Sequence, residues 1–198
     1  MKILGSIIAG GRSSRMEDRE KAFLKLAGKS ILDLVIGRFE PQVDQLIINA
    51  NGDPSRFSEF DLAVHPDLIA TLKTPLAGLH ASLALAKENG SDILITTPSD
   101  TPFLPIDMAV RLIEGASKTG AAIATSGGRE HYLSGAWKVD LFVDLEKAIA
   151  RDTLFRVKDW VERSAASKVA WPIAPHDPFF NVNTPEDFAL AEQVARST

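Results

Sequence analysis

The sequence predicts an α/β fold, a Rossmann-like three-layer sandwich around a mostly parallel sheet, and three observations carry that expectation. Short apolar runs rich in Ile, Leu and Val alternate with helical patterns, which is how a sheet covered on both faces reads. Polar or glycine-containing stretches follow the strand candidates, as in open sheets whose ligands lie beyond the carboxyl ends of the strands. The 198 residues suffice for one sizeable core, and no repeat, linker or low-complexity tract divides them, so one domain over 1–198 is expected.

In chain order, strands are predicted at Ile3 to Ala9, Gln45 to Asn49, Leu62 to Val64, Asp92 to Thr97, Ala121 to Thr125, Leu133 to Trp137 and Val169 to Trp171. Ser30 is placed to cap a helix running to about Phe39, before Pro41. Pro75 and Pro105 suit the first turns of the next two helices, where a missing N–H costs nothing. Asp152 is expected to cap a helix over Thr153 to Arg163, and Thr184, Pro185 and Asp187 form a capping signature for the last helix. The stretch Ser-Gly-Gly-Arg-Glu at 126–130 predicts a hairpin, so part of the sheet is antiparallel.

Composition narrows the chemistry. With 22 basic and 26 acidic residues the formal charge is −4, so no general positive field recruits nucleic acid or an anionic membrane. There is no cysteine, no apolar run long enough to span a bilayer and no secretory leader pattern, and a soluble cytoplasmic setting is the expectation. Anion binding must then rest on a local cluster. The first strand empties into Gly10-Gly-Arg-Ser-Ser-Arg15, where glycines admit a polyphosphate close to the backbone and guanidinium forks match its oxygens. The long polar stretch from Gly10 to Lys29 fits neither the spacing of a dinucleotide fingerprint nor a P-loop, and a stretch of that length marks a functional loop. The other strand ends carry Asn49 and Asn51, His65 and Asp67, and Ser99 and Asp100.

Six motifs in order, IIAGGRSSRM with EDREKAF, INAN, HPD, TPLAGLHASL, SDTPFLP and NVNTPEDF, resemble the molybdenum cofactor guanylyltransferases (MobA), a family with the nucleotide-diphospho-sugar transferase type of fold. The resemblance implies transfer of GMP from GTP to the terminal phosphate of molybdopterin with release of pyrophosphate, Mg²⁺ as cofactor, a monomer, and transient contact with other proteins of cofactor assembly and with target apoenzymes. By position it implies that Ile8, Ala9 and Gly10 hold the guanosine and that Gly11, Arg12, Ser13 and Arg15 wrap the triphosphate. Lys21 is implied near the phosphates, Asn49 and Asp67 at the nucleotide, Asp100 on the metal, and Asn181 and Asn183 at the reaction centre. Residues up to about 100 form the nucleotide side and the rest mainly the acceptor side. Arg15, Lys21 and Asp100 are the catalytic candidates, because two anions must be brought together and their repulsion neutralised.

Two further readings stay open at this stage. One is transfer of CMP, or transfer to another phosphorylated acceptor. The other is a non-catalytic nucleotide-binding protein, which the acidic stretch Glu17-Asp-Arg-Glu20 keeps open, since the family usually has glycine and an Asp-Lys pair there. His131, in the hairpin, and His80, in the helix after Pro75, are read as structural residues.

Overall fold

In the computed structural model, which describes residues 1–9 and 21–197, a seven-stranded sheet runs in the order β5-β4-β1-β6-β8-β7-β9. Its strands are β1 (Ile3–Ile8), β4 (Gln45–Asn49), β5 (Ala63–His65), β6 (Ile93–Pro98), β7 (Ala121–Ser126), β8 (Arg129–Lys138) and β9 (Ser167–Trp171). A two-residue hairpin, β2 (Lys25–Leu26) with β3 (Lys29–Ser30), stands apart. Within the sheet β8 alone runs antiparallel to its neighbours. Mostly parallel pairing is thus present, and the hairpin is the source of the exception: Gly127 and Gly128 both take positive φ, as a tight primed turn requires.

Among the described residues there are six α-helices: α1 (Ile31–Phe39), α2 (Pro75–Glu88), α3 (Met108–Gly115), α4 (Phe142–Asp152), α5 (Val157–Arg163) and α6 (Pro185–Ser197). Alternation along the strands divides the core in two. Ile7, Ile48, Ile93 and Ile95 face α1 and α3, whereas Leu4, Ile47 and Leu94 face α2, α4 and α5. A third cluster, around Leu26, Phe103, Val182 and Ala191, anchors α6 against the small hairpin. At roughly 1.5–3 kcal/mol for each fully buried large aliphatic side chain, these clusters supply the main driving force for folding.

Local signals explain most element starts. Ser30 accepts from the Asp33 backbone at 3.0 Å while Asp33 accepts from the Ser30 backbone at 2.9 Å, a complete capping box. Thr184 and Asp187 make the same reciprocal pair at 3.1 and 2.9 Å. Two helix expectations are corrected. Asp152 ends α4 instead of starting a helix: Thr153 turns left-handed at φ 52° to stop it, and α5 begins only at Val157. Pro105 lies in the turn before α3, its carbonyl accepting from Met108 N, and the helix starts at Met108. The amphipathic segment forming α4, which buries Leu145 and Ala148, was absent from the sequence expectation.

The topology prepares a crevice. From β1 the chain passes to β4 and β5 on one side, then returns to β6 on the other side of β1. The carboxyl ends of β1 and β6 therefore flank the point where strand order reverses, the place where ligands bind in open α/β sheets.

Candidate functional site

The strand register brings four predicted positions to one level. Ile8 pairs with Asn49 on one side and with Pro98 on the other, and Asn49 pairs with His65. The residues that follow each strand must then emerge together along one edge. Ile8 is buried and Ala9 half-buried, and the Ala9 N–H donates to the Asn49 carbonyl at 2.9 Å. Gly10, Gly11, Arg12, Ser13 and Arg15 lie outside the described residues.

On the β4–β5 side a carboxylate is held in place. The Asn49 amide donates to the His65 carbonyl and to Asp67 Oδ1, both at 3.1 Å, and Asn51 donates to Asp67 Oδ2 at 2.7 Å. Asn51 also accepts from the Asp67 backbone at 3.0 Å. Asn49 is fully buried and its Oδ1 has no partner among the described residues, while Gly78 on α2 packs so closely that a Cβ there would overlap that oxygen. Asn49 is thus a support for Asp67, and Asp67 is the group left half-exposed at the edge.

On the β6 side, Asp100 follows the strand and is joined to the last predicted motif. Asn181 donates to Asp100 Oδ1 at 2.9 Å, and the Val182 N–H donates to the Asp100 carbonyl at 2.9 Å. Asn183 stays exposed, and its backbone donates to Asp187. Burial raises the Asp187 carboxyl, but hydrogen bonds from Asn183 and Thr184 together with the charge of Lys21 outweigh it and leave the carboxyl below its usual range. Lys21 is therefore within electrostatic range of the Asp187 carboxyl.

An open cavity of about 360 Å³ joins Pro98, Asp100, Asn181 and Asn183 to the overhanging first half of β8. The β8–β6 pairing stops at Gly135 with Thr96, and a register shift against β7, from Ile123↔Gly135 to Ala124↔His131, leaves Tyr132 to Ser134 unpaired while Arg129 to His131 stay paired with β7 alone. His131 is brought into the cavity by that irregularity. Its Nε2 lies 2.7 Å from Ser126 Oγ, which donates to Asp177 Oδ1 at 2.7 Å, and its ring stacks on Phe179 at 5.0 Å between centroids. Burial pushes the His131 pKa down, with Asp177 opposing and Arg129 reinforcing that shift. Sequence reasoning treated His131 as a hairpin residue and passed over Ser126 and Asp177; only the fold joins three residues from two strands and an irregular segment. His80, by contrast, is a core residue, packed 5.3 Å from the Phe142 ring and lowered in pKa by burial against the opposing charges of Glu146 and Asp67.

Among the described residues no group of three or more His, Asp or Glu side chains gathers as a metal cage. One carboxylate flanked by carboxamides is a hard oxygen set, of the kind that holds Mg²⁺ or Mn²⁺ when phosphate oxygens and waters complete the shell.

This edge can be set beside known proteins. Residues 5–167 match the MobA-like NTP transferase domain. The chain belongs to that family. A molybdenum cofactor guanylyltransferase of Rhodopseudomonas palustris (strain BisB5) is 40% identical over 193 residues, covering 96% of this chain and 92% of that protein. One from Rhizobium meliloti (strain 1021) is 42% identical over 194 residues, covering 94% and 88%. The fold of this MobA-like chain is shared with the molybdopterin-guanine dinucleotide biosynthesis protein A of Archaeoglobus fulgidus, with TM-score 0.72 at 22% identity over 98% of this chain and all of the other. It is shared also with a Mycobacterium tuberculosis protein solved in complex with manganese, with TM-score 0.67 at 17% identity and 98% coverage of each. No helix among the described residues is long and apolar enough to cross a membrane.

Proposed function

We propose that this MobA-like nucleotidyltransferase moves GMP from GTP to the terminal phosphate of molybdopterin, with pyrophosphate as the other product. The observation that carries the reading is the join between Asp100 and Asn181 at the strand-order reversal, because it unites in one cavity the last two motifs, 81 residues apart in the chain. Whole-length similarity to proteins named molybdenum cofactor guanylyltransferase supports both the donor and the acceptor.

The roles divide along the edge. Ile8, Ala9, Gly10, Asn49 and Asp67 belong to the nucleotide side, with Gly11 to Ser13 and Arg15 taking the triphosphate. Asp100 would hold Mg²⁺, whose charge offsets that of the phosphate oxygens; Lys21 and Arg15 add charge relief, and Asn181 fixes the Asp100 carboxylate. Residues beyond about 100 serve the acceptor. A second, largely apolar cavity of about 700 Å³ shares Tyr132 and Leu133 with the first and carries Lys73, Arg156 and Lys158, which gives room for an organic acceptor that bears negative charge. Attack by a phosphate oxygen on the α-phosphorus needs no base to create the nucleophile, since a phosphate monoester is ionised near neutral pH. Positioning and charge neutralisation supply the rate. The setting is a cytoplasmic monomer in transient contact with other proteins of cofactor assembly.

Thermal unfolding with Mg²⁺ and each of GTP, CTP, ATP and UTP tests the donor. A ligand at about a hundredfold excess over its dissociation constant adds roughly 2.7 kcal/mol, which for a chain of this size raises Tm by several degrees. GTP alone is expected to do so, less without Mg²⁺. A shift with CTP instead moves the assignment to CMP transfer, and no shift with any nucleotide refutes the reading.

A further inference from the structure

We infer that His131 is the residue that receives the acceptor's phosphate, by taking up a proton on Nδ1 as the phosphate arrives. The inference rests on the reading above, that the acceptor attacks through a phosphate. Its basis is the way the ring is held.

Ser126 has one hydroxyl proton. With Asp177 Oδ1 at 2.7 Å that proton goes to the carboxylate, so Ser126 Oγ accepts from His131, and Nε2 must carry a hydrogen. Asp177 is itself fixed, accepting from the Phe179 N–H at 2.9 Å. Stacking on the buried Phe179, which meets Trp171 edge-on at 5.2 Å, prevents the ring from turning over. The only nitrogen left for chemistry is Nδ1. It has no hydrogen-bond partner among the described residues, and unlike the two sealed nitrogens of His80 it is not shut away from the cavity that contains Asp100.

The surrounding charges suit a ring that is neutral when empty and charged when occupied. Asp177 favours the cation through Ser126; burial and Arg129, on the same strand, oppose it. Glu130, the next residue, also lines the cavity, with its carboxylate engaged by Lys168 of β9. Asp100 lines the far part of the same cavity. An arriving phosphate adds an opposite charge within contact distance, which moves a histidine up by about 1–3 pKa units. The complex then holds one proton between Nδ1 and a phosphate oxygen. A second oxygen of the same phosphate stays available for attack, and the imidazolium relieves repulsion on the acceptor side, where Arg129 is the other cation lining the cavity. Ser126 is excluded as a nucleophile, because it is buried and its lone proton is committed to Asp177.

The sign of the pH dependence follows from proton count. A phosphate monoester loses its second proton at about pH 6, and burial holds the free ring below the ordinary histidine range. Above both values the separate partners carry no proton and the complex carries one, so acceptor affinity falls as pH rises. From about pH 6.5 to about pH 8.5 the KM for acceptor is expected to climb about tenfold, while the KM for GTP does not follow it. Gln at this position offers a donor that does not titrate, so H131Q is expected to lose the slope. In parallel, nitrogen-15 spectra of the imidazoles near neutral pH should show His131 with Nε2 protonated and Nδ1 bare, and inorganic phosphate should protonate Nδ1. A ring in the opposite tautomer, a ring that phosphate leaves neutral, or an H131Q enzyme with the wild-type slope would overturn the inference. Failure of the guanylyl reading looks different: no dinucleotide forms with wild-type protein, while the phosphate-linked protonation of His131 persists.

Discussion

The two halves of the sheet's carboxyl edge are built differently. On the β5-β4-β1 side each polar residue directly follows a parallel strand, and the hydrogen bonds run between neighbouring strand ends: Asn49 to Asp67, and Asn51 to Asp67. On the β6-β8-β7 side the partners are far apart in sequence, and an antiparallel strand with a broken register supplies the wall. The first arrangement is rigid and closed around one carboxylate; the second leaves an open cavity with a carboxylate at one end and a histidine at the other. A nucleotide whose base and ribose must be recognised closely suits the first, and a variable phosphorylated acceptor suits the second.

If that division is right, the two sides fail in different ways when mutated. The largest effect is expected for Asp100→Asn, which neutralises the carboxylate that follows β6 in the reaction cavity: turnover should fall on the order of 10²-fold or more, with a smaller change in GTP affinity, as steady-state kinetics and nucleotide titration will show. Gly78→Ala strikes the closed side from behind. Its Cβ displaces Asn49 Oδ1, so a loss of about 1–3 kcal/mol in chemical unfolding is expected, together with weaker GTP binding because Asp67 loses its support. Smallest is Asn51→Ala. It removes the two exposed hydrogen bonds between Asn51 and Asp67, each worth about 0.5–1.5 kcal/mol, but leaves the Asn49 bond to Asp67 in place, so GTP should weaken roughly two- to tenfold with only a small loss in unfolding. A Gly78→Ala protein that binds GTP normally but has lost turnover would break the comparison.

The same division explains what the sequence made legible. The closed side was readable because each motif sits next to the strand that positions it, and parallel β/α alternation makes strand ends coincide. Asn49 was readable as a polar strand end, but its burial against Gly78 of α2 is a contact made across the fold, and its support of Asp67 spans two strand ends. On the open side Asp100 and Asn181 were readable as motifs, yet their contact at 2.9 Å was not. The grouping of His131, Ser126 and Asp177 left no sequence signal. It depends on the register shift between Ile123 and Ala124, which apolar alternation does not encode. The α4–α5 boundary failed for a local reason: Asp152 is a good cap in isolation, but the apolar face of α4 carries the helix up to it and Thr153 stops the chain there. Gly11 to Arg15, where the resemblance places the triphosphate, lie outside the described residues.

The most direct test of guanylyl transfer is to incubate the protein with molybdopterin, Mg²⁺ and GTP carrying its label on the α-phosphate, and to separate the products. The expected result is label in a guanine dinucleotide of the pterin, one pyrophosphate released per dinucleotide, and neither product with Asp100→Asn. Label that stays in GTP, or a dinucleotide that forms only when CTP replaces GTP, would contradict it.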